Sequence, residues 1–189
     1  MAGGPSTVID RLSADMEWVR VRMHRSPDGD FLTYLQLLRD KKLKVLGVLD
    51  SDALPDSAPP PSYFEPYYDL VTALEIGNEP DITSPSSWTL TPLAWYNLVR
   101  DVVSAGGKSF TYVGGGFASG NPTFRSLSKA AQYLDAITIH PYGKLPKGWT
   151  GVTDWGLGDL EGLVNLYRPF KMPIWVSEFG APQNETGVE

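Results

Sequence analysis

The feature that most constrains this chain is an alternation: short apolar runs of strand character are followed repeatedly by segments with helical spacing. WVRVRM at 18–23 alternates apolar and polar residues, and LKVLGVL at 43–49 is a continuous buried-strand run. LEIG at 74–77, FTYV at 110–113, AITI at 136–139 and PIWVS at 173–177 are further short strands. Between them, Phe31, Tyr34, Leu35 and Leu38 recur at helical spacing over 31–42, and 63–70, 91–105, 121–133 and 159–167 also read as helices. Thr91 and Pro92 form a helix start, a hydroxyl cap followed by proline at the first helical position, and Gly106 and Gly107 stop that helix. Strand and helix repeating at this spacing predict βα units around a parallel sheet, either an open doubly wound sheet or a barrel.

Length sharpens the choice. The chain has 189 residues, read as a single domain over 1–189. A full (β/α)8 barrel takes about 250. Two turn-rich stretches, 51–61 with Pro55, Pro59, Pro60 and Pro61, and the glycine-rich 143–158, sit between strands and helices and read as surface loops. The doubly wound alternative lacks a glycine fingerprint after its first strand. Gly114, Gly115 and Gly116 do follow a strand, but without the Lys-Ser/Thr of a phosphate loop, so they read as a tight strand-to-loop turn near a ligand.

Charge and composition exclude several classes. The net charge is −6 with no basic stripe, which argues against a nucleic-acid partner. No cysteine is present, so disulfides, zinc thiolates and thiol catalysis are excluded. No apolar run approaches the roughly 20 residues of a membrane span, and no membrane partner is expected. Residues 1–6 carry no signal-peptide pattern, which leaves both a secreted and a cytoplasmic location open.

Parallel βα folds place ligands at the carboxyl ends of their strands. Asn78, Glu79, Pro80 and Asp81 stand there after the 74–77 strand, His140, Pro141 and Tyr142 after 136–139, and Glu178 and Phe179 after 173–177. The first strand carries Arg20, Arg22 and His24, and the second ends in Asp50. A carboxylate directly after an apolar strand is costly without a role. Two of them, on different strands of one sheet, can flank a glycosidic bond, one protonating the leaving oxygen and one attacking the anomeric carbon or activating water.

Three strings make the comparison specific. LEIGNEPD at 74–81 resembles the fourth-strand motif of the clan A retaining glycoside hydrolases, ITIHPY at 137–142 their sixth, and IWVSEFG at 174–180 their seventh. The resemblance covers nearly the whole chain and implies a TIM-barrel-like architecture and hydrolysis of β-linked O-glycosidic bonds by double displacement. Glu79 would then be the general acid/base, with its pKa raised by the nearby Glu178 charge, and Glu178 the nucleophile. Asn78 would bind the sugar 2-hydroxyl, and His140 and Tyr142 would orient Glu178. Arg20 resembles the second-strand arginine that holds the nucleophile as a carboxylate. Trp149 and Trp155 would offer sugar-stacking faces, and His24 and Asp50 are further cleft candidates. Trp175, of opposite strand parity to Glu178, is expected to pack under helices, and Trp95 in a helix core.

The strands run from the family's second to its seventh, while 6–16 reads as helix, so about six of eight βα units are expected. Such an open barrel would expose two strand edges. A fragment, a compact variant, self-association or a partner chain covering the edges would each account for it. The substrate expected is an oligo- or polysaccharide, with no metal and no cofactor. The alternative is a non-catalytic carbohydrate-binding protein derived from such an enzyme.

Overall fold

The computed structural model describes residues 15–24, 26–49, 60–79, 92–117, 132–142 and 160–179. Within them, six strands form one sheet: β1 (Trp18–Arg22), β2 (Lys44–Leu49), β3 (Ala73–Ile76), β4 (Thr111–Phe117), β5 (Ala136–Ile139) and β6 (Ile174–Val176). Each pairs in parallel with the next, in chain order from β1 to β6. A doubly wound sheet reverses its order at a switch point. Here every unit adds its strand on the same side, which is the winding of a barrel. The described α-helices are α1 (Gly29–Asp40), α2 (Pro61–Phe64), α3 (Pro92–Ala105) and α4 (Leu160–Tyr167).

The alternation along the strands sorts side chains onto two faces. One face joins the helices. Val45, Leu49, Leu74, Ile76, Tyr112, Ile137 and Ile139 pack with Leu35 and Leu38 of α1, Trp95, Tyr96, Val99 and Val103 of α3, and Leu163 and Tyr167 of α4. The other face is concave. Its floor is a second apolar cluster of Leu46, Ala73, Val113 and Ala136, flanked by Trp18 and Trp175. Those two indoles come from the first and last strands and meet edge to face, with ring centroids 5.2 Å apart. The sheet is therefore curled into a half-barrel, tightly enough for side chains of β1 and β6 to touch across its interior.

Local chemistry sets the element ends. Asp28 caps α1 by accepting a hydrogen bond from Phe31 N at 2.8 Å. The helix expected over 63–70 is instead one α turn followed by the 3-10 turn Glu65–Tyr67, because Pro66 lacks an N–H and interrupts α-helical bonding. The glycine triplet is not a strand-to-loop turn. It lies inside β4, which runs on to Phe117 with a register shift between Gly114 and Phe117, and Gly115 and Gly116 take φ values of 94° and 55°. Trp175 also departs from expectation, since it lines the concave floor while Ile174 packs with the helices. Most of the helix expected over 121–133, most of that over 6–16, the Thr91 cap, Asp81 and most of both turn-rich loops lie outside the described residues; Gln132 and Tyr133 are in a turn. No helix among the described residues is long and apolar enough to cross a membrane.

Candidate active site

Above the apolar floor the concave face turns polar. Arg20 stands on β1, Glu75 on β3 and Thr138 on β5. Asn78 and Glu79 follow β3, His140 and Tyr142 follow β5, and Ser177 and Glu178 follow β6. The Arg20 guanidinium is the hub. Its Nε donates to Glu75 Oε2 at 2.6 Å, its Nη1 to Glu178 Oε2 at 3.0 Å and its Nη2 to Asn78 Oδ1 at 2.7 Å. Three acceptors on two other strand ends use the rigid fork that only arginine offers. Arg22, two residues on, is exposed.

Tyr142 ties the two motif glutamates together. Its hydroxyl lies 3.0 Å from Glu79 Oε1 and hydrogen-bonds Glu178 Oε1 closely. Burial raises the Tyr142 pKa, and the hydrogen bond to Glu178 and both carboxylate charges raise it further, so the phenol keeps its proton and acts as a donor. One carboxylate oxygen of each glutamate and one His140 ring nitrogen lie within 4.8 Å of one another. These atoms already bond one another, Arg20 and Tyr142, and the guanidinium 3.0 Å from Glu178 opposes a cation. The group is a hydrogen-bonded cluster, and its three converging atoms are of the kinds that could also hold a metal ion.

His140 is fully buried between acids. Its Nδ1 lies 3.0 Å from Glu79 Oε1, its Nε2 3.0 Å from Ser177 Oγ and 3.5 Å from Glu75 Oε1. Burial alone would lower its pKa, but the hydrogen bonds to Glu75 and Glu79 outweigh that and raise it. For Glu79 the balance runs the other way from expectation. Burial raises its pKa, yet the hydrogen bond and charge of His140, with Tyr142 and Arg20, leave it lowered. The anticipated upward shift from Glu178 is overridden because Glu79 faces an imidazole at hydrogen-bond distance. Both shifts favour a proton on His140 over one on Glu79. Glu79 also holds a backbone φ of 49°, a left-handed conformation that costs a non-glycine residue about 1–2 kcal/mol and is found where geometry at a site demands it.

The sequence expectation thus meets a mixed outcome. Arg20, Asn78, Glu79, His140, Tyr142 and Glu178 converge. The His24 ring does not join them: it is exposed and stacks on Phe31 with centroids 4.1 Å apart, while its carbonyl accepts from Tyr63 and Tyr67. Asp50, Trp149 and Trp155 lie outside the described residues. Glu75, Thr138 and Ser177 were not anticipated, although a glutamate between Leu74 and Ile76 of a buried strand was the available signal.

A half-barrel of βα units carrying paired carboxylates beyond its strand ends defines the class to which this chain's architecture belongs. No protein-family model and no curated protein matches it. Among solved structures, the whole chain is similar to a GH128 (subgroup I) endo-β-1,3-glucanase of Amycolatopsis mediterranei, crystallised with laminaripentaose, at a TM-score of 0.54 and 16% identity. It is similar over 93% of its length to an endo-laminarinase from a Formosa strain, at 0.56 and 13%. A putative mandelate racemase of Bordetella bronchiseptica matches 90% of the chain at 0.54 and 9%. The chain spans 72%, 60% and 40% of these proteins' lengths respectively. Such low identities show the fold, which the racemase shares, and leave function to the site.

Proposed function

We propose that this chain hydrolyses β-linked glucans with retention of anomeric configuration, Glu178 acting as nucleophile and Glu79 as acid/base. The observation that carries this reading is the Tyr142 bridge, which holds oxygens of Glu79 and Glu178 within 4.8 Å. Retaining pairs stand about 5–5.5 Å apart, whereas inverting pairs leave about 6.5–9.5 Å for a water. Two of the similar structures are a β-1,3-glucanase and a laminarinase, which supports β-1,3-glucan as the first substrate to try.

In this mechanism a Glu178 oxygen attacks the anomeric carbon while Glu79 protonates the glycosidic oxygen. The C–O bond breaks with its electron pair going to the leaving oxygen, and a glycosyl ester remains on Glu178. Glu79 then takes a proton from water, whose oxygen displaces Glu178. With its pKa lowered, Glu79 draws its first proton in this mechanism from His140 Nδ1, 3.0 Å away. Arg20 balances the nucleophile's charge, and Asn78, held by Arg20 through its carbonyl oxygen, keeps its amide N–H groups for a sugar hydroxyl.

The test is reducing-sugar release from laminarin, mixed-linkage glucan, mannan and xylan, with the first-formed anomer followed by proton NMR. Release of the β-anomer, reduced at least about 10³-fold in Glu178→Gln, is the expected result. Release of the α-anomer first would sink the retaining assignment. Binding of laminari-oligosaccharides without any release would make the chain a carbohydrate-binding derivative of such an enzyme.

A further inference from the structure

Glu75 has no part in two-carboxylate chemistry, yet it is a completely buried charge. Both of its oxygens are engaged. Oε2 accepts from Arg20 Nε at 2.6 Å, and Oε1 accepts from Thr138 Oγ1 at 2.9 Å and Ser177 Oγ at 2.8 Å. Its burial keeps it from any substrate. The fold nonetheless clears space for it, since a Cβ on Gly116 would stand 2.9 Å from Glu75 Oε1 and 2.7 Å from His140 Nε2. A buried acid is costly unless its charge is needed.

We propose, resting on the hydrolase reading above, that Glu75 is a positioning residue: it fixes Arg20 beneath Glu178 and, through the Ser177 hydroxyl, holds the His140 proton that faces Glu79. Ser177 has one hydroxyl hydrogen and two partners, Glu75 Oε1 at 2.8 Å and His140 Nε2 at 3.0 Å. When both ring nitrogens are protonated, Nε2–H donates to Ser177, Ser177 donates to Glu75, and Nδ1–H points at Glu79. When the ring loses its Nε2 proton, Ser177 turns to Nε2 and deserts Glu75, which the Glu75 charge opposes; when it gives Nδ1–H to Glu79, the chain from Nε2–H through Ser177 to Glu75 stays intact, and the Glu75 charge beside the ring favours the proton's return. A count of charges agrees. Among the described residues Arg20 is the one cation paired with both Glu75 and Glu178, and an imidazolium beside Glu79 adds a second. Among the described residues, the groups facing His140 are Glu75 from β3, Glu79 after it, Ser177 and Glu178 after β6, Tyr142 after β5, and Arg20 from β1, whose charge alone works against the ring's proton. Removing a negative charge from this set makes every proton in it easier to lose.

The experiment is Glu75→Gln, with Glu75→Asp as the conservative variant. The first readout is the pH titration of His140 ring nitrogens by NMR. The chain has only two histidines, and His24→Gln assigns the signals. Glu75→Gln should lower the His140 midpoint by about one pH unit or more. The alkaline limb of kcat/KM on laminarin should move the same way, and kcat should fall at least about 10-fold while KM changes less than about 3-fold. Glu75→Asp should fall between the variant and the native protein. A folded Glu75→Gln protein with an unmoved His140 midpoint would overturn the proposal. If Glu75→Gln fails to fold, Ser177→Ala decides instead: a lowered midpoint supports the relay and an unchanged one overturns it. A native protein without turnover but with a Glu75-dependent His140 titration sinks the hydrolase reading and keeps the positioning role. Turnover with a Glu75-independent titration does the reverse.

Discussion

At the residue scale the site is a set of charges that support one another, so single substitutions should be costly in predictable ways. Arg20→Ala would leave Glu75 buried without its counter-ion, and breaking such a pair costs about 3–5 kcal/mol. Arg20→Lys should recover part of that stability but little activity, because a point ammonium cannot serve Glu75, Glu178 and Asn78 together. Chemical denaturation and kcat on the same preparations would test the split; a lysine variant with near-native kcat would contradict it. Stability should also depend on pH in both directions. Glu75 and Glu79 have folded pKa values below their unfolded value of about 4.3, so their contribution is complete above that pH and is lost as pH falls through the folded values. His140 has a folded pKa above its unfolded value of about 6.5, so its contribution is complete below that pH and is lost as pH rises through the folded value. The melting temperature should therefore peak between roughly pH 4.3 and 6.5, and His140→Gln should flatten the alkaline side.

At the element scale the glycine-rich strand is the sensitive one. Gly116→Ala would combine a backbone φ of 55° with a Cβ only 2.6 Å from His140 Cε1. We expect a loss of about 1–3 kcal/mol and near-abolished turnover, because the displaced ring is the one that faces Glu79. Native-like activity in that variant would show that β4 is not tuned to His140. Much of this element structure was legible beforehand. Apolar runs located all six strands, the three motifs named five of the converging side chains, and the first-strand arginine Arg20 made a sixth. What was missed has physical reasons. Parity arguments hold only inside a regular strand, and β6 ends at Val176, so the chain turns before Glu178 and both Trp175 and Glu178 face the concave side. His24 likewise follows the end of β1 at Arg22, where packing against Phe31 decides its direction. Glu75 was not legible as a site residue because ligand sites are marked at strand ends, whereas Glu75 lies one layer down, within β3.

At the scale of the whole molecule, six parallel strands bring the first and last close enough for Trp18 to touch Trp175 below the level at which Arg20 meets Glu178. β6 is the shortest strand, only three residues, and Val176 and Phe179 beside it are exposed. Under mild denaturant, hydrogen exchange should open β6 first. Turnover should then vanish before far-UV ellipticity falls; coincident loss of the two signals would show that β6 is bound as firmly as β2 or β3. Trp18→Ala should ease that opening, lowering stability by about 1–3 kcal/mol without touching the polar layer.

The Arg20 fork also imposes an order on synthesis. Glu75 follows Arg20 by 55 residues and Glu178 follows it by 158. At a translation rate of about 5–20 residues per second, Glu75 emerges roughly 3–11 s after Arg20, and Glu178 roughly 8–32 s after it. The nascent chain thus contains Arg20 and Glu75 before Glu178 exists. The Arg20–Glu75 pair can form on the ribosome and keep a seat for Glu178, so the final strand arrives at a charge already prepared to receive it.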